Sequence, residues 1–397
     1  MTQISKRIQA LSPSATLAMS QKSAEMKAQG IDIINMSVGE PDFDTPESIK
    51  EAAKRAIDEN YSRYTPVPGY LSLREAICEK LRRDNGVEYL PTQIVVGNGA
   101  KQELCNALLA VVNPGDEVII PTPAWVSYVE MVKLAEGKVV TVEAGLDQNF
   151  KITPAQLEAA ITDATKVVML NSPSNPTGSI YSYEELAALA EVLRRHPQVL
   201  ILADDIYEHI NFVDRVHSIC EFDDLRDRII IINGGSKAYA MTGWRIGFMA
   251  APLEIAKAVT KLQGQYTSGA SSIAQKAAEA AYRGPQECVA EMREAFRRRR
   301  DLIVELARGI DGWKVNEPQG AFYLFPDVSA YIGRSDGETT IKSSGDYVMY
   351  LLQNAHVAAV DGAAFCAPGY LRLSYATSDE NIREAMRRIS EASAKLK

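Results

Sequence analysis

The sequence predicts an α/β protein: a mainly parallel sheet with helices on both faces, joined to a smaller α+β unit. Three observations predict it. From about residue 46, short β-branched runs alternate with segments of helical periodicity. After about residue 285 that alternation stops. Four strands end in small, polar or charged residues (Gly97 to Lys101, Asn171 to Gly178, Asp204 to Tyr207, Gly234 to Lys237), where open α/β sheets bind ligands.

The elements follow in order. Helical periodicity covers 13–30, 46–60 and 71–86. IVVGNG precedes the helical KQELCNALLAVV, DEVIIP precedes AWVSYVEMVKLAEG, and KVVTV precedes PAQLEAAI. KVVMLNSPSNPTG leads into EELAALAEVLRR, and VLILADD and RIIIINGGSK follow. WRIGFMAAP reads as another strand of the same sheet, its direction open. Beyond 285 come a long helix, the stretches GWKVNEP, GAFYLFPDV and GYLRLSYAT, and a closing helix over 379–396. The helix over 13–30 is expected to join this last unit. The small domain is then discontinuous: an N-terminal arm with part of it at 1–45, a large domain at 46–285, and the rest at 286–397.

Composition narrows the function. A chain of 397 residues is ample for two to three domains. A formal net charge of −8 argues against nucleic-acid binding, which needs a basic footprint. RRRR at 297–300 lies in an amphipathic helix and is expected to be a solvated face. Five scattered cysteines without a C-x-x-C pair read as reduced thiols of a cytoplasmic protein. The four histidines show no ligand spacing, so no metal site is expected. No signal peptide or long apolar span is evident, so neither is a membrane partner.

VGNGAKQ (96–102) is a Gly-rich turn between strand and helix, a place where free N–H groups can hold phosphate. It fails the dinucleotide fingerprint, because Gln102 stands where the last glycine would be. Ordinary strand–helix geometry explains the turn equally well. Lys101 adds weight, since a cation at a helix N-terminus costs about 0.3–1 kcal/mol. Asp204 ends an apolar run. Buried there, it must be paired or protonated. No cation is near it in sequence, so a bound cationic ligand is one possibility.

GGSKAYAMTGWRIG (234–247) resembles the lysine motif of class I aminotransferases, which use pyridoxal phosphate. SVGEPDFDTP (37–46), YTPVPGYLSLREAI (64–77), NPTG (175–178), DDIYE (204–208) and GYLRLSYATSDEN (369–381) extend the resemblance almost end to end. Within the family the chain is most similar to bacterial-type aspartate aminotransferases, which carry PSAT and a lysine in the Gly-rich turn. The resemblance implies a fold of seven-stranded type in the large domain and a homodimer with shared active sites.

It also implies roles. Lys237 would form a Schiff base with the cofactor aldehyde and then move the proton at the substrate Cα. Asp204 would pair with the pyridinium nitrogen. Tyr207 and Asn175 would bond its phenolic oxygen, and Trp125 would stack on the ring. Arg245 would bind the phosphate with backbone N–H groups at Gly99, Ala100 and Lys101, and Ser236 would add to the cofactor site. Tyr64 would reach the phosphate of the neighbouring subunit. Arg372 would grip the substrate α-carboxylate as a fork, beside the Gly39 backbone. Lys101 and Thr16 would contact a distal carboxylate. The implied reaction moves an amino group from aspartate to 2-oxoglutarate. Aromatic, prephenate or kynurenine-type transfer is the alternative. Gly235, Ala124 and Asp361 depart from the family pattern, and Gly235 is the one that bears on how Lys237 is aimed.

Overall fold

The structure is a computed structural model and describes residues 4–397. Strands β2 (Ile94–Gly97), β3 (Glu117–Thr122), β4 (Lys138–Glu143), β5 (Thr165–Asn171), β6 (Leu200–Asp204), β7 (Ile229–Asn233) and β8 (Gly247–Ala250) form one sheet. Its order is β2-β8-β7-β6-β5-β3-β4. β8 runs antiparallel to both neighbours, and every other pairing between adjacent strands is parallel. This settles the direction of WRIGFMAAP.

The run IIIIN shows why these strands are apolar throughout. Ile229 and Ile231 belong to the hydrophobic cluster on one face, Ile230 and Ile232 to the cluster on the other. A strand covered on both sides has no polar face to offer. Pro154 opens the helix Pro154–Ala160 behind a Thr153 cap, and Ser182 caps Tyr183–Arg195 with Glu185 completing the box.

A second core gathers residues 292–396 with Ile34, Met36, Tyr207, Ile210 and Phe212. β1 (Ile34–Asn35) pairs in parallel with β10 (Val357–Ala358), so the N-terminal segment is stitched into the C-terminal unit. There β12 (Leu371–Ser374) lies between β11 (Val360–Asp361) and β9 (Tyr323–Leu324). The helix Ala15–Ala28 lays Met19 and Met26 on the Ile33, Leu352 and Ala358 cluster.

Some expectations change. GWKVNEP is not a strand and holds only an isolated bridge, Lys314 to Asp327. The helices Leu253–Tyr266, Ser272–Arg283 and Ser344–Asn354 were not anticipated. RRRR is not a solvated face: Arg299 and Arg300 are buried. Arg299 makes a two-pronged bond to Asp42 (2.7 and 2.9 Å) and lies over Phe43, and Arg300 lies over Phe212. Both tie the helix Glu287–Arg308 to other segments, a use of arginine that counting charges cannot reveal.

Candidate active site

The carboxyl ends of β2, β5, β6 and β7 open on one cavity of about 320 Å³, also bordered by the helix Ala15–Ala28 and by β12. Thr16, Gly39, Ala100, Lys101, Trp125, Asn175, Asp204, Tyr207, Ser236, Lys237, Arg245 and Arg372 all line it. Gly99 caps the helix Ala100–Val111 just behind this wall, at φ +85, a conformation suited to glycine. Its missing side chain makes room for the Arg245 guanidinium. Tyr64 does not join the others. It is 98% exposed and lies outside the cavity of its own chain.

Lys237 sits in the short helical turn Gly235–Ala238 that follows β7. Its Nζ donates to the Gly39 carbonyl at 2.6 Å. Burial pulls its pKa down to about 8, and the charge of Glu40 resists that shift. The stretch that follows this turn, 240–244, is zipped to the 40–45 segment by three further contacts. Thr242 donates to Glu40, Thr45 Oγ1 donates to the Ala240 carbonyl (2.7 Å), and Trp244 Nε1 donates to Thr45 Oγ1 (3.0 Å).

Asp204 ends β6 almost wholly buried. Burial pushes its carboxyl up to about 6, opposed by hydrogen bonds from Tyr128 Oη (2.6 Å) and the Ile206 N–H. Asn171 Nδ2 donates to the Asp204 carbonyl (2.8 Å), and Asn171 Oδ1 accepts from the Asn175 N–H (2.8 Å). Asn171 thus locks the NSPSNPTG turn to β6.

Arg372 is fully buried on β12 without a carboxylate partner. Nη1 donates to Asn175 Oδ1 (3.0 Å), Nη2 donates to the Ser37 carbonyl (2.6 Å), and Nε has no partner. Its guanidinium lies 4.4 Å from the Tyr323 ring and 5.0 Å from the Phe365 ring. Among the described residues no carboxylate pairs with this guanidinium, so its chemistry suits an anion. Arg245 donates to the Thr242 and Asn98 carbonyls (2.9 and 3.3 Å), beside a helix N-terminus whose first amides lack intrahelical acceptors. Lys101 lies 5.1 Å from the Trp125 ring, and burial followed by repulsion from Arg245 lowers its pKa.

Tyr128, Tyr323 and Glu40 belong to the site without having been singled out from the sequence, and Asn171 was named only as the start of the strand end 171–178. Tyr128 follows Trp125 by three positions, a helical spacing that could have flagged it. Nothing local marks Tyr323. Of the three departures, Asp361 caps the turn Gly362–Phe365 and accepts from Ser344 (2.7 Å). Ala124 is buried and donates its N–H to the Phe365 carbonyl (3.0 Å). A Cβ on Gly235 would lie 3.2 Å from Met241 Sδ, so the glycine leaves space for that buried methionine.

An acid buried where a protonated ring nitrogen could pair with it, a desolvated lysine, and an arginine beside a free helix N-terminus suit one kind of ligand. It is flat, carries a phosphate and an aldehyde, and has a basic ring nitrogen. Pyridoxal phosphate is such a molecule, and the chain has the architecture of a pyridoxal-phosphate enzyme. The comparisons narrow this further. A family model described as aminotransferase class I and II matches residues 31–389, and the chain belongs to that family of pyridoxal-phosphate-dependent aminotransferases.

It is 51% identical to an aspartate/prephenate aminotransferase of Cereibacter sphaeroides, over 99% of both chains. It is 49% identical to an aspartate aminotransferase of Geobacillus stearothermophilus, over 97% of this chain and 98% of the other. The solved aspartate aminotransferase of Rhizobium meliloti superposes with a TM-score of 0.97 at 44% identity, covering 100% of both chains. That of Thermus thermophilus with maleate gives 0.93 at 42%, covering 99% of this chain and 100% of the other. No helix among the described residues is long and apolar enough to cross a membrane.

Proposed function

We propose that this chain transfers the amino group of aspartate to 2-oxoglutarate, giving oxaloacetate and glutamate. One observation carries the substrate class. Lys101, Lys237, Arg245 and Arg372 line the cavity, and among the described residues none forms an ion pair with a carboxylate. The cofactor phosphate would occupy Arg245, and Lys237 would hold the cofactor covalently. Arg372 and Lys101 remain, one for each carboxylate of a dicarboxylic amino acid, and Thr16 lines the same cavity. The maleate named with the Thermus thermophilus relative is itself a dicarboxylate.

The roles follow from the side chains. When bound, the cofactor supplies an electron sink for the carbanion left at Cα. Lys237 Nζ takes and returns the Cα proton, and its pKa of about 8 suits a base working near neutrality. Asp204 keeps the ring nitrogen protonated. Tyr207 and Asn175 donate to the phenolic oxygen; Asn175 Nδ2 is available because Oδ1 faces Arg372. Trp125 would stack on the ring, and Ser236 with the Ala100 and Lys101 backbone would add to the phosphate site; the Gly99 N–H, expected there too, donates instead to the Gly97 carbonyl (2.8 Å). Arg372 would fix the α-carboxylate and so orient the substrate in the cavity that Lys237 also lines.

A homodimer is part of the proposal, supported by the exposure of Tyr64, which would reach the phosphate of the neighbouring subunit. The division at 45/46 and 285/286 is supported only in outline by the two main cores, since Tyr207, Ile210 and Phe212 pack into the second core and Val289 into the first. The unpaired cysteines favour the cytoplasm. Prephenate is the second reading, favoured by the name of the Cereibacter sphaeroides relative. It too carries two carboxylates.

The test pairs spectra with turnover. Protein incubated with pyridoxal phosphate should gain a visible absorbance band that Lys237→Ala lacks. Turnover should be measured with aspartate and 2-oxoglutarate, with phenylalanine, and with prephenate as acceptor. Faster turnover of phenylalanine than aspartate would overturn the dicarboxylate assignment. Wild-type turnover by Lys237→Ala would overturn the base.

A further inference from the structure

Tyr323 is outside the roles assigned above, yet it touches two of the residues that carry them. It is buried on β9, with its hydroxyl 2.7 Å from that of Tyr207 and its ring face 4.4 Å from the Arg372 guanidinium. The hydroxyl also fills the space a Cβ on Gly39 would need, so it is confined between Gly39 and Tyr207. Burial raises the pKa of both phenols, which keeps both protons in place at neutral pH.

Each phenol has a single proton to donate. If Tyr207 spends its proton on the cofactor's phenolic oxygen, the proton between the two hydroxyls must be Tyr323's. We propose that Tyr323 is a positioning residue acting on both halves of the site. Its hydroxyl donates to Tyr207 and strengthens Tyr207's own donation, as hydrogen bonds in series do. Its ring holds the Arg372 guanidinium in the plane needed to grip a carboxylate. Tyr323 thereby couples the cofactor's proton affinity to the grip on substrate.

The inference rests on the aminotransferase reading, and the test separates the two. Wild-type protein loaded with pyridoxal phosphate is titrated with pH while its visible band is followed, and maleate affinity is read from the change in that band. A wild type with no band sinks the functional reading. Given a band, Tyr323→Phe keeps the ring and loses the donor. Its midpoint should rise by about half a pH unit, with the maleate Kd within about twofold of wild type. Tyr323→Leu also loses the ring face, and its maleate Kd should weaken about five- to tenfold. A wild-type midpoint in Tyr323→Phe overturns the hydroxyl relay, even if Tyr323→Leu fails to fold. Wild-type maleate affinity in a folded Tyr323→Leu overturns the ring's part.

Discussion

Lys101→Met should convert the enzyme's preference rather than its chemistry. Lys101 stands on the cavity wall with its ammonium over Trp125 and no ion-pair partner among the described residues. Methionine keeps most of the stem and removes the charge. A unit charge about 4 Å from a carboxylate contributes from about 1 kcal/mol in water to about 4 kcal/mol near a protein surface. Lys101 sits between these limits: the residue is exposed, but its ammonium is partly desolvated and repelled by Arg245. A loss of about 2 kcal/mol, roughly 30-fold, is therefore expected in kcat/KM for aspartate. Alanine, with one carboxylate, should change less than about threefold. The informative number is the ratio of kcat/KM for aspartate to that for alanine. If both fall together and pyridoxal phosphate dissociates more readily, Lys101 serves the phosphate and not the substrate, and the reasoning fails.

Other expectations can be checked alongside. Arg372→Lys keeps the charge but loses the fork, and its three N–H groups cannot hold Asn175, the Ser37 carbonyl and both oxygens of a carboxylate together; maleate affinity should fall about 30- to 150-fold, and a loss under threefold would refute the clamp. The carboxyl of Asp204 is raised to about 6, so it stabilises the ligand-free fold below its ordinary value of 3.8, and that contribution is lost as pH rises through 6. Asp204→Asn should flatten that part of the stability curve and leave the ligand-free protein about 1–3 kcal/mol more stable than wild type at pH 7, while weakening cofactor retention. An unchanged pH profile of the melting temperature would contradict the assignment. Gly235→Ala should be tolerated to within about 1 kcal/mol, because unbranched Met241 can yield the few tenths of an ångström required. A melting temperature lowered by more than about 3 °C would show that Met241 cannot move.

Much of the fold was legible because its strands are covered on both faces. Continuous apolar runs such as IIIIN and VLILAD contrast sharply with the amphipathic helices between them. The C-terminal unit was harder to read. Its strands are two to four residues long and are set by pairing with distant segments, as β1 is with β10. GWKVNEP has a strand's composition but only one bridging partner. The same distinction divides the site. Lys237, Asp204 and Arg372 stand in motifs that declare themselves, while Tyr323 and Tyr128 matter only through residues 116 and 76 positions away. Gly39 reads as a place for substrate to approach, yet in the fold its missing side chain first makes room for the Tyr323 hydroxyl. Arg299 and Arg300 look like solvent residues until Asp42 and Phe212 are brought to them.

The charges of the cavity explain why a dicarboxylate suits it better than any single contact does. Four cations face two carboxylates, Glu40 and Asp204, and Glu40 is already engaged by Thr242. In the proposed site a cofactor phosphate, about −2 near neutral pH like other phosphate monoesters, would be answered by Arg245 together with the N-terminus of the helix Ala100–Val111. The covalent bond to Lys237 and a protonated ring nitrogen at Asp204 account for two more groups. In the same proposal the α-carboxylate would answer Arg372. A monocarboxylic amino acid would then leave Lys101 half-desolvated and unmatched, with Arg245 nearby to make its charge costlier. A second carboxylate removes that cost. On the proposed function, Lys101 is the cation with no carboxylate assigned to it until a second substrate carboxylate arrives, so its charge is the first thing to change.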